Sequence, residues 1–77
     1  MEFFESKIAI EFSNYEDVFQ VTKKTMIGTL IKKICYLHGL EYKYYSLYCN
    51  NKMVNPNLPC YAFAGKTLNL YQRFNFQ

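Results

Sequence analysis

The chain holds one histidine, His38, one aspartate, Asp17, and three cysteines, Cys35, Cys49 and Cys60. These are residue types from which a nucleophilic site could be built. A Ser-His-Asp or Cys-His site needs a group that orients the imidazole. Around the helix end that carries His38, Glu41 is the one carboxylate at a suitable offset. A histidine near a helix C-terminus is more simply a favourable charge at the negative end of the helix dipole. No catalytic residue is assigned, and the chain is read as a non-enzyme. The cysteines are odd in number and form no C-x-x-C pair. That argues against a disulfide framework or a zinc ribbon and fits a reducing compartment. No metal or cofactor set is expected. Cys35 and Cys49 are expected as small buried hydrophobes, whereas Cys60, in a loop, could be reactive although nothing visible activates it.

A second set of candidates is aromatic. "YKYYSLYCNNK", residues 42–52, carries Tyr42, Tyr44, Tyr45 and Tyr48. Such a run could stack bases, as in RNA binders that use a sheet, but no RNP-like K/R-G-F/Y motif accompanies it, and tyrosine favours strands for ordinary packing reasons. The alternative use is protein recognition, since exposed tyrosines are enriched at interfaces. The third set is cationic: Lys23, Lys24, Lys32, Lys33 and Lys43. These are read either as a solvated helix face or as a basic surface for an acidic partner. The net charge of +3 is too mild for the dense basic stripe of a nucleic-acid binder.

The elements that position these residues follow from hydrophobic period. Seventy-seven residues make one small domain, 1–77. A composition of 51% hydrophobic and 19% aromatic residues can build its core. A mean hydropathy of -0.19 and the lack of a long apolar run predict no membrane span. Glu2 and Glu5 stand where a secretory signal would be basic, so no signal peptide and a cytoplasmic or nuclear location are expected.

"KIAIEF", residues 7–12, alternates as a half-buried strand, with Ile8, Ile10 and Phe12 on one face. "SNYED" follows as a turn and "VFQVT" as a second strand of a hairpin, with Phe19 and Val21 on one face. Ile27, Leu30, Ile31 and Ile34 then form one stripe of a helix spanning about Met26 to His38. Thr25 is the expected N-cap, Gly39 the left-handed C-cap residue and Gly28 the weak position. In the next strand Tyr45, Leu47 and Cys49 share one face, so Tyr48 points outward. Asn50-Asn51 is a turn and "KMV" a short return strand. "NPNLPCYAFAG" is a loop pinned by Leu58, Tyr61 and Phe63, and "KTLNLYQ" a last strand with Leu68 and Leu70 inward.

One helix can cover only one face of such a sheet. The fold predicted is therefore an α+β roll, a sheet with one helix packed across it and the other face wet. The expected core is Ile8, Ile10, Phe19, Val21, Ile27, Leu30, Ile34, Leu47, Leu58, Phe63, Leu68 and Leu70.

From Val21 through Val54 the chain resembles the ubiquitin family without a gap. Ile27, Leu30 and Ile34 fall at the helix core positions, Gly39 at the glycine after the helix, Leu47 at the third-strand leucine and Lys52 at the lysine after the turn. "LPCYAFAGKTLNLY" continues the likeness, with Tyr61 at the family's tyrosine and Phe63 at its buried isoleucine. The resemblance implies a ubiquitin-like β-grasp domain, a mixed sheet in order 2-1-5-3-4 with the first and last strands parallel at its centre, and specifies fold far better than function.

Departures limit what carries over. The chain ends "QRFNFQ" without a diglycine, so conjugation is not expected. The apolar patch of ubiquitin is rebuilt, with Tyr48 for its isoleucine, Tyr71 for its valine, Asn69 for its histidine and Ser13 or Asn14 for its leucine. Two subfamilies are similar: the N-terminal ubiquitin-like domain of tether-type UBX proteins, from the L-P and F-A-x-K-T-L-x-L run, and Ras-binding domains, from "VTKKTMIGTLIKKICYLHGL". The expected role is an interaction module, part of a larger adaptor, that binds an unidentified protein through Tyr48, Lys52, Asn69 and Tyr71. The alternatives are an acidic partner on Lys23, Lys24, Lys32 and Lys33, meeting strand two and the helix as in Ras-association domains, or weak binding of nucleic acid.

Overall fold

Ile8 and Ile10 bury their side chains completely, which fixes the inward face of the first strand and the register of its neighbour. In the computed structural model, which describes residues 6–73, β1 (Ser6–Phe12) pairs antiparallel with β2 (Tyr15–Val21), Ile8 opposite Phe19 and Ile10 opposite Asp17. Glu2, Glu5 and the end of "QRFNFQ" lie outside the described residues. The turn is shorter than the five residues expected. Ser13 takes a positive φ of 57° and reverses the chain at once, so Tyr15, Glu16 and Asp17 belong to β2.

Helix α1 spans Ile27–His38 and buries Ile27, Leu30, Ile31, Ile34 and Cys35, the stripe read from the sequence. Thr25 is not its cap. Met26 occupies that position without a side-chain bond, and the Thr25 hydroxyl accepts from the Thr22 amide at 3.2 Å. The free N–H groups of the first turn find carbonyls elsewhere: Ile27 donates to Leu58 at 2.9 Å and Gly28 to Pro56 at 2.8 Å. A tertiary contact has replaced the local cap, so the orphan donors are still satisfied. At the other end Gly39 is left-handed (φ 70°). Its N–H donates to Tyr36 and that of Leu40 to Cys35, the paired bonds of a Schellman motif.

Gly28 has a packing reason as well. A Cβ there would lie 3.3 Å from the Pro56 carbonyl oxygen. Gly28→Ala should therefore lose the gain of about 1 kcal/mol that alanine usually brings to a helix. Urea unfolding is expected to place the variant within about 0.5 kcal/mol of the parent, and a gain near the full value would show that the Pro56 loop yields freely.

After α1, a 3-10 turn at Tyr42–Tyr44 leads into β3 (Tyr45–Cys49), which pairs with β4 (Lys52–Met53) across a turn where Asn50 and Asn51 both have positive φ. A second 3-10 turn, Cys60–Phe63, precedes β5 (Thr67–Gln72). The five strands run in the order β2-β1-β5-β3-β4, with β1 and β5 parallel at the centre and β3 and β5 antiparallel. This is the predicted sheet. The core is also largely the one expected, with two revisions. Phe19 and Phe63 are only half-buried against it, and Leu58 is 40% exposed. The Leu58 backbone holds the start of the helix, while Val54 and Cys60 on either side of that loop fill the interior. No described helix is long and apolar enough to cross a membrane.

Candidate functional site: the face of the last two long strands

The face of the sheet away from α1 carries the side chains that alternate with the core. On β5 these are Thr67, Asn69 and Tyr71, and on β3 Ser46 and Tyr48. The register sets Ser46 opposite Tyr71 and Tyr48 opposite Asn69, so the two tyrosines are diagonal neighbours. Their ring centroids lie 5.6 Å apart with planes tilted by 57°. Tyr48 is half-buried and Tyr71 is 53% exposed, which leaves one broad ring surface supported by another. Lys52 does not join them. It pairs with Cys49, on the parity of buried Leu47 and Val54, whereas Met53 pairs with Tyr48 and is 56% exposed. The patch is Tyr48, Tyr71 and Met53 with Asn69 beside them. The sequence alone could have shown the exchange: with Asn50-Asn51 as a two-residue turn, Cys49 must face Lys52 and Tyr48 must face Met53.

No family model matches the sequence, and no curated protein matches it. Solved structures do match in shape. The ubiquitin of Caldiarchaeum subterraneum superposes with a TM-score of 0.79 at 15% identity, over 96% of this chain and 100% of that one. The N-terminal ubiquitin-like domain of the 4931431F19Rik protein gives 0.75 at 10% identity, over 95% and 79%. ATBAG1, solved in complex with HSP70, gives 0.74 at 13% identity, over 88% of this chain but 40% of that chain. The chain has the ubiquitin-like β-grasp fold.

In this ubiquitin-like domain the remaining tyrosines of the run separate by place. Tyr45 turns inward and meets Phe12 edge-on at 6.1 Å, while Tyr42 and Tyr44 stand exposed on the 3-10 turn. Lys32 Nζ sits 5.0 Å from the centroid of Tyr42, and Lys43 Nζ 5.5 Å from that of Tyr44. The run is therefore neither a single platform nor a single core strand. Of the cations read from the sequence, Lys32 and Lys43 come together around the 3-10 turn. Lys23 and Lys24 lie in the loop before α1, and Lys33 is exposed on the helix.

His38 has an orienting carboxylate after all, and it is Asp17 rather than Glu41. The imidazole Nε2–H donates to Asp17 Oδ2 at 2.9 Å, and the ring lies between Phe12 and Tyr15 at 5.3 and 5.6 Å. The pairing arises because β2 begins at Tyr15. Asp17 then shares the helix-facing parity of Phe19 and Val21, under the end of α1. The contacts described for the imidazole are one carboxylate and two aromatic rings, the geometry of a clasp between β2 and the helix end.

Cys60 differs from its reading as an accessible loop thiol. It is fully buried, its N–H donates to the Thr25 carbonyl at 2.8 Å, and burial pushes its pKa up to about 11. Burial also raises the thiol of Cys35. Among the described residues no three His, Cys, Asp or Glu side chains gather as a metal site.

Proposed function

We propose that this domain is a non-catalytic protein-binding module, acting within a larger adaptor in the cytoplasm or nucleus, which takes its partner on the β3–β5 face. The observation that carries the reading is the Tyr48–Tyr71 pair, 5.6 Å apart and flanked by exposed Met53. Aromatic rings and methionine are the side chains enriched at protein interfaces. Tyrosine adds a hydroxyl that stays hydrogen-bonded in water and in a complex, so the patch tolerates solvent while free. The usual ubiquitin receptors, whose pockets fit aliphatic side chains and a histidine, are not its partners. One fold neighbour was solved with HSP70, but this chain spans less than half of it, so that complex belongs to the whole neighbour.

The test is a Tyr48→Ala, Tyr71→Ala double variant, used as bait beside the parent domain in native lysate. Both side chains lie outside the helix-facing core, so folding should be retained while capture of the partner falls at least about tenfold, as loss of paired aromatic anchors does. A second reading rests on β2 being an edge strand, open to strand addition beside Lys23 and Lys24, as in a Ras-association module with an acidic partner. If the tyrosine variant keeps full binding and Lys23→Glu with Lys24→Glu abolishes it, the β2 edge is the working surface.

A further inference from the structure

A cleft of about 270 Å³ opens between the first half of α1, the Tyr42–Tyr44 turn, the start of β3 and the chain just past β5. Its charge is one-sided. Lys32, Lys43 and Arg73 line it, and among the described residues no carboxylate does. Glu41, next in sequence to Tyr42, is not part of the lining. The rest is mostly apolar, with Ile31 from the helix, Tyr45 from β3 and Pro56 from the loop after β4.

The cations are held rather than waving free. Arg73 donates from its guanidinium to the Lys43 carbonyl and from its backbone N–H to the Tyr44 carbonyl at 2.6 Å. Lys32 rests over the Tyr42 ring. These contacts use backbone carbonyls and a ring face, and among the described residues no carboxylate pairs with the three cations. Arg73 is the one arginine of the chain, and its planar fork suits carboxylate geometry.

We propose that this cleft is a second binding site, which takes an acidic peptide segment carrying one apolar side chain. The apolar lining receives that side chain, and Lys32, Lys43 and Arg73 meet carboxylates on either side of it. Charge complementarity selects the occupant. At about 270 Å³ the cleft lies at the lower edge of the roughly 300–1,000 Å³ typical of small-molecule sites and has room for one inserted side chain. The site is separate from the Tyr48–Tyr71 face and does not depend on it.

The probe is a blocked peptide, acetyl-Glu-Glu-Phe-Glu-Glu-amide, titrated into the ¹⁵N-labelled 77-residue chain. Amide shifts should concentrate at Gly28, Ile31, Tyr45, Ser46 and Arg73. Replacing every Glu of the peptide by Gln, or its Phe by Ala, should each weaken binding. Lys32→Glu with Lys43→Glu should weaken it about tenfold or more, the sum of two exposed charge contacts reversed in sign. Arg73→Gln, which leaves both lysines and the helix intact, should weaken it less. The Tyr48→Ala, Tyr71→Ala variant should bind as the parent does, which separates this site from the protein-binding face. Equal binding of the Gln peptide, equal binding of the Ala peptide, or shifts scattered over the surface would each overturn the proposal. So would a single-stranded oligothymidine that shifts the same amides at lower concentration, which would assign the cleft to nucleic acid.

Discussion

Leu68→Ala and Leu30→Ala are each expected to remove about 2–5 kcal/mol of stability and to lower the urea midpoint accordingly. Leu68 is 0% exposed and sits on β5, between β1 and β3, directly opposite Ile10. Leu30 is 2% exposed in the middle of the helix stripe that covers the same sheet. Each truncation removes methyl groups from the one place where helix and sheet meet. The central strand is held by neighbours on both sides and cannot collapse into the gap, which is the condition for a large cavity cost. A chain of this length has roughly 4–12 kcal/mol in total, so the loss is a large share of it. Urea titration measures the change, with Leu58→Ala as internal control. That side chain is 40% exposed and should cost under about 1 kcal/mol when removed. A cost below about 1 kcal/mol for both core variants would mean that helix and sheet do not meet through these residues.

The contrast between Leu68 and Leu58 marks where sequence reading works. Period carries burial only inside regular elements. Ile27, Leu30, Ile31 and Ile34 repeat at helical spacing and all are buried, and the alternation of Leu68 and Leu70 predicts both. Leu58 lies in a segment with two prolines and no period, where hydrophobicity alone says nothing about direction. There the chain uses its backbone, with the Pro56 and Leu58 carbonyls closing the first turn of α1. That bond makes a Thr25 cap unnecessary, so a local rule failed because a distant loop satisfied the same donors. Topology was legible for a different reason: the helix core positions, the glycine after the helix and the last-strand run resemble the ubiquitin family, and the strand order came with that resemblance.

The site was legible in part. Alternation alone places Tyr48 and Tyr71 outward on neighbouring strands. Exchanging Lys52 for Met53 needed the turn length as well, because one residue of register moves a side chain to the other face. The clasp of His38 on Asp17 needed the exact start of β2, and the five polar or aromatic residues of "SNYED" hide it behind an apparent turn. The cleft was beyond reach: Gly28, Tyr45, Pro56 and Arg73 are far apart in sequence, and only the packed fold sets them around one space.

Cys60 should be the slowest of the three cysteines to alkylate in the native protein, by at least about a hundredfold relative to the urea-unfolded chain. The sulfur is fully buried, so reagent reaches it only when the segment opens. While the segment is closed the thiol stays neutral, because burial pushes its pKa up to about 11 and the thiolate is the reactive form. Opening that segment breaks the bond from the Cys60 amide to Thr25 and removes a core residue packed with the helix, so access should track unfolding of the whole domain. Half-buried Cys49 should react first. Iodoacetamide labelling at pH 8, read by mass spectrometry of the cysteine peptides over time, gives the three rates. Equal rates at Cys60 and Cys49 would show that the second 3-10 turn opens by itself. The same shift sets a pH dependence. Because the folded pKa lies above the unfolded one, burying the neutral thiol favours folding fully below about pH 9, and that contribution is lost as pH rises through about 11. Cys60→Ala removes the titrating group, so its urea midpoint should fall less steeply than that of the parent across this window.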